Sequence, residues 1–598
     1  MKKRVADIIM DTLVEQGVTE CFAVVGGGAM HLDNALGLNA GIHKVFNHHE
    51  QACAMAAEGY ARMTGGLAAV CVTSGPGATN AITGVMGAWQ DSIPMIVLSG
   101  QVRTDISVEA TGLPLRFRGV QEFDIVPSVR NMTKYAVKLT DPKSVRREII
   151  KAVNIAMSGR RGPVWLDVPM NIQSALVETE ELYPPEPPVE EPRAAEADAY
   201  YMLDKLVKAK RPVILAGMGI SSSGCIEKFH ALADRLAVPV IGAHCASDVM
   251  YRDHPFFFGQ SGLIGPRAGN FIVQNADLIL SIGSSLGIQM TGFAVDQFAP
   301  KAEIIAVDAD EYEMRKPGLR VDRFIHSTAE SVIDQLLAVC HETVPVSEEW
   351  ITYCRELRKT FSPFEPGESL PDGDRVCAYR FWQEFDHIAP DDCVCVLANN
   401  TAISSKVQIG TKTEKQRILV NKNCGSMGDD LPQAIGAARA GVEVVCITGD
   451  GSVMMNLQEL ETIRYNKLPI KIVVFSNDGY NAIRQSSKNF FNGFLVGCNA
   501  VSGISFPDFS KIAETFGMNY YCCATNGEVA DSLKWLFAQE GAAMLEVCQR
   551  LDDPVTPKVM SRQLEDGTML TPALHDMFPF LPESEMRKWM AISAEAKE

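Results

Sequence analysis

An aspartate set between two glycines, Gly449-Asp450-Gly451, closes the apolar run Val444-Val445-Cys446-Ile447. The glycines permit a tight turn and let a ligand lie against the backbone. A carboxylate at the C-terminal end of a buried strand stands where parallel α/β sheets place their ligands. A second apolar run, Ile470 to Phe475, ends in Ser476-Asn477-Asp478-Gly479. In a strand–helix–strand unit these two ends lie side by side, so Asp450 and Asn477, 27 positions apart, face one point. A carboxylate, an amide oxygen and the Gly479 carbonyl form an all-oxygen set suited to Mg²⁺, whose remaining positions water and ligand phosphate oxygens fill. Ser452 and the backbone amides after Gly451 are placed to hold that phosphate. The Gly-Asp-Gly motif alone fits a strand-to-helix turn with a solvated Asp equally well. Between the two strands, Asn456 and Glu459 have capping-box spacing and predict a helix beginning there.

These strands belong to a longer series. The runs LAAVCVTSG, PMIVLSG, PVILAG, DLILSIG and EIIAVDAD also end in Gly, Ser or Asp, each ahead of a helical pattern. That alternation predicts parallel sheets with ligand sites at the strand ends. A chain of 598 residues is too long for one core. Stretches rich in Pro and Glu at 180–197 and 361–374 read as connectors. The expectation is three doubly wound parallel-sheet α/β domains at 1–180, 198–345 and 370–550. The first and third look alike in outline, without a close internal repeat. A tail at 551–598, whose Pro and Phe need a surface to bury against, is expected to act as a lid or subunit wrap.

A net charge of -18 argues against nucleic acid or an anionic membrane as partner. Sixteen scattered cysteines without a CxxC pair suit reduced thiols in a cytoplasmic protein. The N-terminus starts with Lys and Arg, but apolar residues then recur at helical spacing among Asp7, Asp11 and Glu15, which predicts an amphipathic helix and not an export signal. No apolar run reaches the ~18 residues of a membrane span.

The Gly-Asp-Gly motif followed by an asparagine pair one strand–helix–strand unit later resembles the signature of thiamine-diphosphate enzymes. Ser476 replaces the first asparagine of the pair, and Asn477 is the metal-binding second. FNHHEQACAMAAEGYARMTG (46–65) and SGPGATN (74–80) resemble the acetohydroxyacid (acetolactate) synthase group. NCGSMGDDLPQAIGAA resembles that group's wedge segment, and LANNTAIS its second diphosphate loop. The resemblance runs through essentially the whole chain, in the order pyrimidine-binding, central and diphosphate-binding domain. It implies thiamine diphosphate and Mg²⁺ as cofactors, with Glu50 donating to N1′ of the pyrimidine and Gln121 as a second catalytic side chain. Met427 would be the wedge that bends the cofactor, and the Gly425 carbonyl would accept from its 4′-amine. Gly27, Gly75, Asn80, Asn399, Asn400, Thr401, Gly451 and Ser452 would complete the cofactor contacts. The implied activity is decarboxylation of a 2-oxo acid, pyruvate, with transfer of the two-carbon unit to a carbonyl acceptor. Glu50 and Asp450 would come from different subunits, so a homodimer is the minimal unit and a tetramer is expected.

Several positions depart from the synthases. Val120 stands where they carry a Phe before the Gln of the pocket, and Ser486 where they carry a Trp. Gly26 replaces a Pro, and His31 adds a polar group near the mouth of the site. With Gly28 and Ile483 as further lining residues, the acceptor side is expected to be roomy. Together with the tail, these features look more like acetolactate-synthase-like enzymes of surface-polysaccharide pathways, in which the acceptor is a nucleotide-linked keto-deoxysugar. Arg484 and Lys488 are then candidates for an acceptor phosphate. Acetolactate synthase proper, a simple 2-oxo-acid decarboxylase or C–C hydrolase, and a silent thiamine-diphosphate-binding regulatory subunit are the alternatives. Retention of Glu50, Asp450 and Asn477 together argues against the silent subunit. Glycine turns in the central block leave room for FAD, although Ser285 replaces an arginine of the synthases.

Overall fold

The computed structural model describes residues 1–590 apart from 245, 399, 400, 554 and 564–567, and apart from the side chains of 367, 401–403, 562 and 563. Three six-stranded sheets follow one another along the chain, and every pairing within them is parallel. The first contains Glu20–Ala23, His43–Phe46, Ala68–Val72, Met95–Gln101, Tyr135–Lys138 and Val164–Pro169. The second contains Pro212–Ala216, Val240–Gly242, Phe257–Gln260, Leu278–Ile282, Glu303–Asp308 and Arg323–His326. The third contains Val394–Leu397, Arg417–Val420, Val444–Gly449, Ile470–Ser476, Asn519–Cys523 and Ala543–Cys548.

Counting strands along the chain within each sheet, the first and third share the order 2-1-3-4-6-5, and the central sheet has 3-2-1-4-5-6. The central order is that of dinucleotide-binding folds. In the outer sheets the order reverses between strands 1 and 3, which puts a crevice at the carboxyl ends of those strands. Strands such as Ala68–Val72 and Val444–Gly449 are buried throughout, as expected when helices cover both faces.

The two outer domains are joined by helices packed to backbone contact. Helix Glu50–Thr64 is capped at its start by His49, whose Nδ1 accepts from the Gln51 amide, and at its end by left-handed Gly65. Its Ala52, Ala54, Ala56, Ala57, Gly59 and Ala61 are all buried. A Cβ on Gly59 would lie 2.2 Å from the Gln433 carbonyl oxygen, and one on Gly436 would lie 1.8 Å from that of Ala56. Small side chains therefore let this helix lie directly against Asp430–Ala438. Glu459 adds a polar link, accepting from Asn47 Nδ2 at 2.8 Å and from the His48 amide at 3.0 Å.

The N-terminal amphipathic pattern forms helix Val5–Glu15, with Val5, Ile8, Ile9, Met10 and Leu13 buried. The tail after 550 crosses the C-terminal domain and then straps the central one. Asn270 Nδ2 donates to the Leu574 carbonyl at 2.9 Å, Asn275 Nδ2 to that of Trp589 at 3.1 Å, and Arg267 to those of Met577 and Pro579. Helix Arg267–Asn275, the anchor for these contacts, is buried along its whole length. No helix among the described residues is long and apolar enough to cross a membrane.

Candidate active site

Asp450 begins a short helix, Asp450–Val453, directly after its strand. Its carboxylate accepts from the Asn477 amide at 3.1 Å and the Gly479 amide at 2.9 Å on the neighbouring strand end. Its other oxygen accepts from the Gly451 amide at 2.8 Å. Burial pushes the carboxyl up to about 6, against the pull of these three amides and of Arg484. A divalent cation beside it would favour the carboxylate.

Asn477 Nδ2 donates to Gln549 Oε1 at 3.1 Å, while its buried Oδ1 has no hydrogen-bond partner. Gln549 in turn donates to Asp553 at 3.0 Å, which fixes the orientation of both amides. Asn477 thus keeps a buried, unpaired amide oxygen at the strand end whose backbone amide bonds Asp450. Gly479 has φ +124°, and a Cβ there would lie 1.8 Å from the Cys498 carbonyl oxygen. Gly451 admits the Tyr480 ring, whose Cε1 would be 2.1 Å from a Cβ at that position.

A cavity enclosing about 1350 Å³, open mouth included, is lined by Asp450, Gly451, Ser452, Asn477, Gly479, Met427 and Ile483, among others. Met427 lies between Gly425 and Gly428, both left-handed at φ +65° and +81°. The Ser452 hydroxyl is committed to the protein, donating to Asp430 at 2.6 Å and accepting from the Gly428 amide at 2.8 Å. Asn399, Asn400 and the side chain of Thr401 lie outside the described residues.

Other predicted residues sit on the N-terminal domain. Glu50 heads its helix and accepts from Asn80 Nδ2 at 3.0 Å. Gly75, at φ +58°, touches the loop carrying Gln121, because a Cβ there would lie 2.3 Å from the Gln121 carbonyl oxygen. Gln121 itself has φ +57°. A Cβ on Gly27 meets nothing within 4 Å, whereas one on Gly28 would lie 2.5 Å from Ser74 Oγ. The Gly26 amide donates to Asp33 at 3.0 Å, a bond that a proline at this position has no hydrogen to make. His31 is half-buried, and Val120 is 83% exposed. None of these residues lines the Asp450 cavity. Ser486 is exposed and also lies off that lining, one turn from Ile483.

Two sequence expectations are corrected. Asn456 does not start a helix: the helix begins at Glu459, and Asn456 Nδ2 donates instead to the Gly428 carbonyl at 2.6 Å. That bond to the Gly428 turn outcompetes the local cap. Arg484 does not reach toward an acceptor, because its guanidinium donates to the carbonyls of Leu551 and Asn477 and so braces the Asn477 turn. Gln549 and Asp430 are structurally central residues that motif reading missed. The acidic doublet Asp429-Asp430 and the position of Gln549 one residue past a strand were the available signals.

A second cavity, about 1130 Å³ with its open mouth included, opens at the carboxyl ends of the central strands. Its walls include Gly219, His244, Ser285 and Asp308 of the central domain and Arg160 and Arg161 of the N-terminal one. Burial pushes Asp308 up to about 6 and holds His244 down at about 3.

Residues 3–125 match the N-terminal TPP binding domain of thiamine pyrophosphate enzymes, 201–336 their central domain, and 401–547 their C-terminal TPP binding domain. The chain belongs to this family. Among its relatives, the acetolactate synthase isozyme 2 large subunit of Escherichia coli (strain K12) is 32% identical over 550 residues, covering 91% of this chain and 95% of the relative. A probable acetolactate synthase large subunit of Methanocaldococcus jannaschii is 31% identical over 560 residues, covering 91% of each. The isozyme 1 large subunit of Escherichia coli is 30% identical over 575 residues, covering 93% and 95%.

Proposed function

We propose that this protein decarboxylates a 2-oxo acid, pyruvate, and joins the two-carbon unit to a carbonyl acceptor. The observation that carries the reading is the unpartnered Asn477 Oδ1 beside the Asp450 carboxylate, a donor set whose chemistry fits Mg²⁺. When bound, thiamine diphosphate supplies the electron sink for decarboxylation and for carbon–carbon bond formation. Asp450, Asn477 and the Gly479 carbonyl would hold the metal, and the amides after Gly451, with Asn399, Asn400 and Thr401, the diphosphate. Met427 and the Gly425 carbonyl would orient the aminopyrimidine, and Glu50 would hold a proton at its N1′.

Because Glu50 does not line the Asp450 cavity within one chain, a second copy would supply it, making a homodimer the minimal unit and a tetramer its expected assembly. Large exposed apolar side chains support this: Leu113, Phe117 and Val120 on the N-terminal domain, and Phe490, Phe491, Phe494 and Val501 on the C-terminal one. For the central cavity we favour FAD, supported by the strand order and by Asp308 at a strand end, where ribose hydroxyls are bound. Flavin released on denaturing the purified protein tests this. Unbridged thiols, buried in most cases, support a cytoplasmic setting.

The names of the relatives favour a second pyruvate as acceptor, giving acetolactate. A nucleotide-linked keto-deoxysugar rests on the small side chains at Val120 and Ser486, together with Gly28 and His31 near the mouth, and the names of the three relatives do not mention such an acceptor. The deciding experiment supplies the purified protein with thiamine diphosphate, Mg²⁺ and pyruvate alone, following CO₂ and product mass. Acetolactate identifies the second pyruvate as acceptor, and free acetaldehyde identifies a decarboxylase. Release of about one CO₂ per active site with neither product, the two-carbon unit staying bound, favours a different acceptor. No turnover despite bound cofactor removes pyruvate as donor.

A further inference from the structure

The turn Gln90-Asp91-Ser92 ends a helix of the N-terminal domain, and its middle carboxylate is 1% exposed. Asp91 Oδ1 accepts from Asn423 Nδ2 at 2.6 Å and from the Asn423 amide at 3.3 Å, and Oδ2 accepts from the Lys422 amide at 3.2 Å. All three donors lie at the root of the segment that carries Gly425 and Met427, more than 330 residues away in the chain. Arg62 bridges Asp91 to the fully buried Glu58, which accepts from Asn421 Nδ2 at 3.2 and 3.1 Å. Asn421 Oδ1 in turn accepts from the Gly425 amide at 3.2 Å. Gly87, on the helix leading to the turn, is what admits this approach, since a Cβ there would lie 2.3 Å from Asn421 Nδ2. Lys422 lines the Asp450 cavity, whereas Asp91 lines neither cavity.

We propose that Asp91 is a positioning residue for the cofactor: it fixes the backbone at 422 and 423, and so sets where Gly425 and Met427 present themselves. The inference rests on the reading of the Met427 segment as part of the thiamine diphosphate site. A buried carboxylate accepting charge-assisted bonds from backbone amides is a stiff anchor, and its amide replacement turns two donors toward donors.

The test titrates full-length protein with thiamine diphosphate at fixed Mg²⁺, read by tryptophan fluorescence and calorimetry, with thermal unfolding alongside. Asp91→Asn raises cofactor half-saturation about tenfold or more, and Asn423→Ala, which loses the side-chain bonds of an exposed residue to Asp91 and to the Gln90 carbonyl but keeps its backbone amide, about threefold. Glu148→Gln, a buried carboxylate on the opposite face of the same sheet, moves the melting temperature and leaves half-saturation unchanged. Unchanged half-saturation in Asp91→Asn, with only a melting shift, overturns the proposal. If Asp91→Asn does not fold, unchanged half-saturation in Asn423→Ala overturns it. Met427→Ala separates the two readings: if it alone weakens binding, the Asp91 proposal fails. If Met427→Ala changes neither binding nor turnover, the reading of the wedge fails.

Discussion

The N-terminal and C-terminal domains thread six parallel strands in the same order, yet the ends of those strands carry different chemistry. After its third strand the C-terminal domain turns through Gly449-Asp450-Gly451, and the N-terminal domain turns through Thr73-Ser74-Gly75. In the first case a carboxylate gathers backbone amides from the next strand end. In the second a hydroxyl, Thr73 Oγ1, accepts from the Gly28 amide at 3.0 Å and draws the first-strand loop inward. The N-terminal domain carries its acid elsewhere, at Glu50 on the helix after its second strand. Strand order thus sets where a crevice lies, while the turn residues decide which polar groups gather beside it. Two domains of one topology can in this way supply complementary halves of a single site.

The largest predicted effect separates the chemical roles of the halves. Glu50→Gln lowers turnover about 10²- to 10⁴-fold, in the range of lost proton transfer, with cofactor affinity nearly unchanged by calorimetry. Next, Gln549→Ala releases the Asn477 amide and weakens Mg²⁺ half-saturation about 10- to 100-fold, as expected for a residue that orients a metal ligand. Equal Mg²⁺ dependence in that variant would remove Asn477 from the metal site.

The glycines give a matched pair. Gly451→Ala must displace the Tyr480 ring, and Gly75→Ala meets the Gln121 carbonyl at a left-handed position. Each is predicted to cost about 1–3 kcal/mol in urea unfolding. A pH-dependent effect concerns Asp167, which burial pushes up to about 7 against bonds from Ser99 and Gln101. Its folded value exceeds the unfolded one, so the folded chain holds the extra proton between the two. Stability from this group is therefore fully present below about pH 4 and falls as pH rises through about 7. Asp167→Asn should flatten that slope in urea midpoints measured across this window.

What the sequence revealed follows from what is local. Asp450 and Asn477 were legible because a strand–helix–strand unit of ordinary length brings its ends together. The three parallel domains were legible because apolar runs ending in Gly, Ser or Asp repeat along the chain. Asn456 misled because its spacing to Glu459 fits a cap, while the partners that claim both side chains, Gly428 and the Asn47–His48 turn, come from distant chain. Arg484 misled for the same reason, since its contacts are carbonyls that only folding brings near. The strap formed by the tail depends on helix Arg267–Asn275, roughly 300 residues earlier, and no pattern in the tail names that helix.

The most direct test of a site built from two copies co-expresses Glu50→Gln chains with Asp450→Asn chains, each nearly inactive alone. In a symmetric dimer with sites between subunits, the mixed dimer holds one site with both wild-type acids. Random pairing then restores about a quarter of wild-type turnover. Activity no greater than the sum of the two separate variants would contradict the account and place Glu50 and Asp450 in the same chain's site.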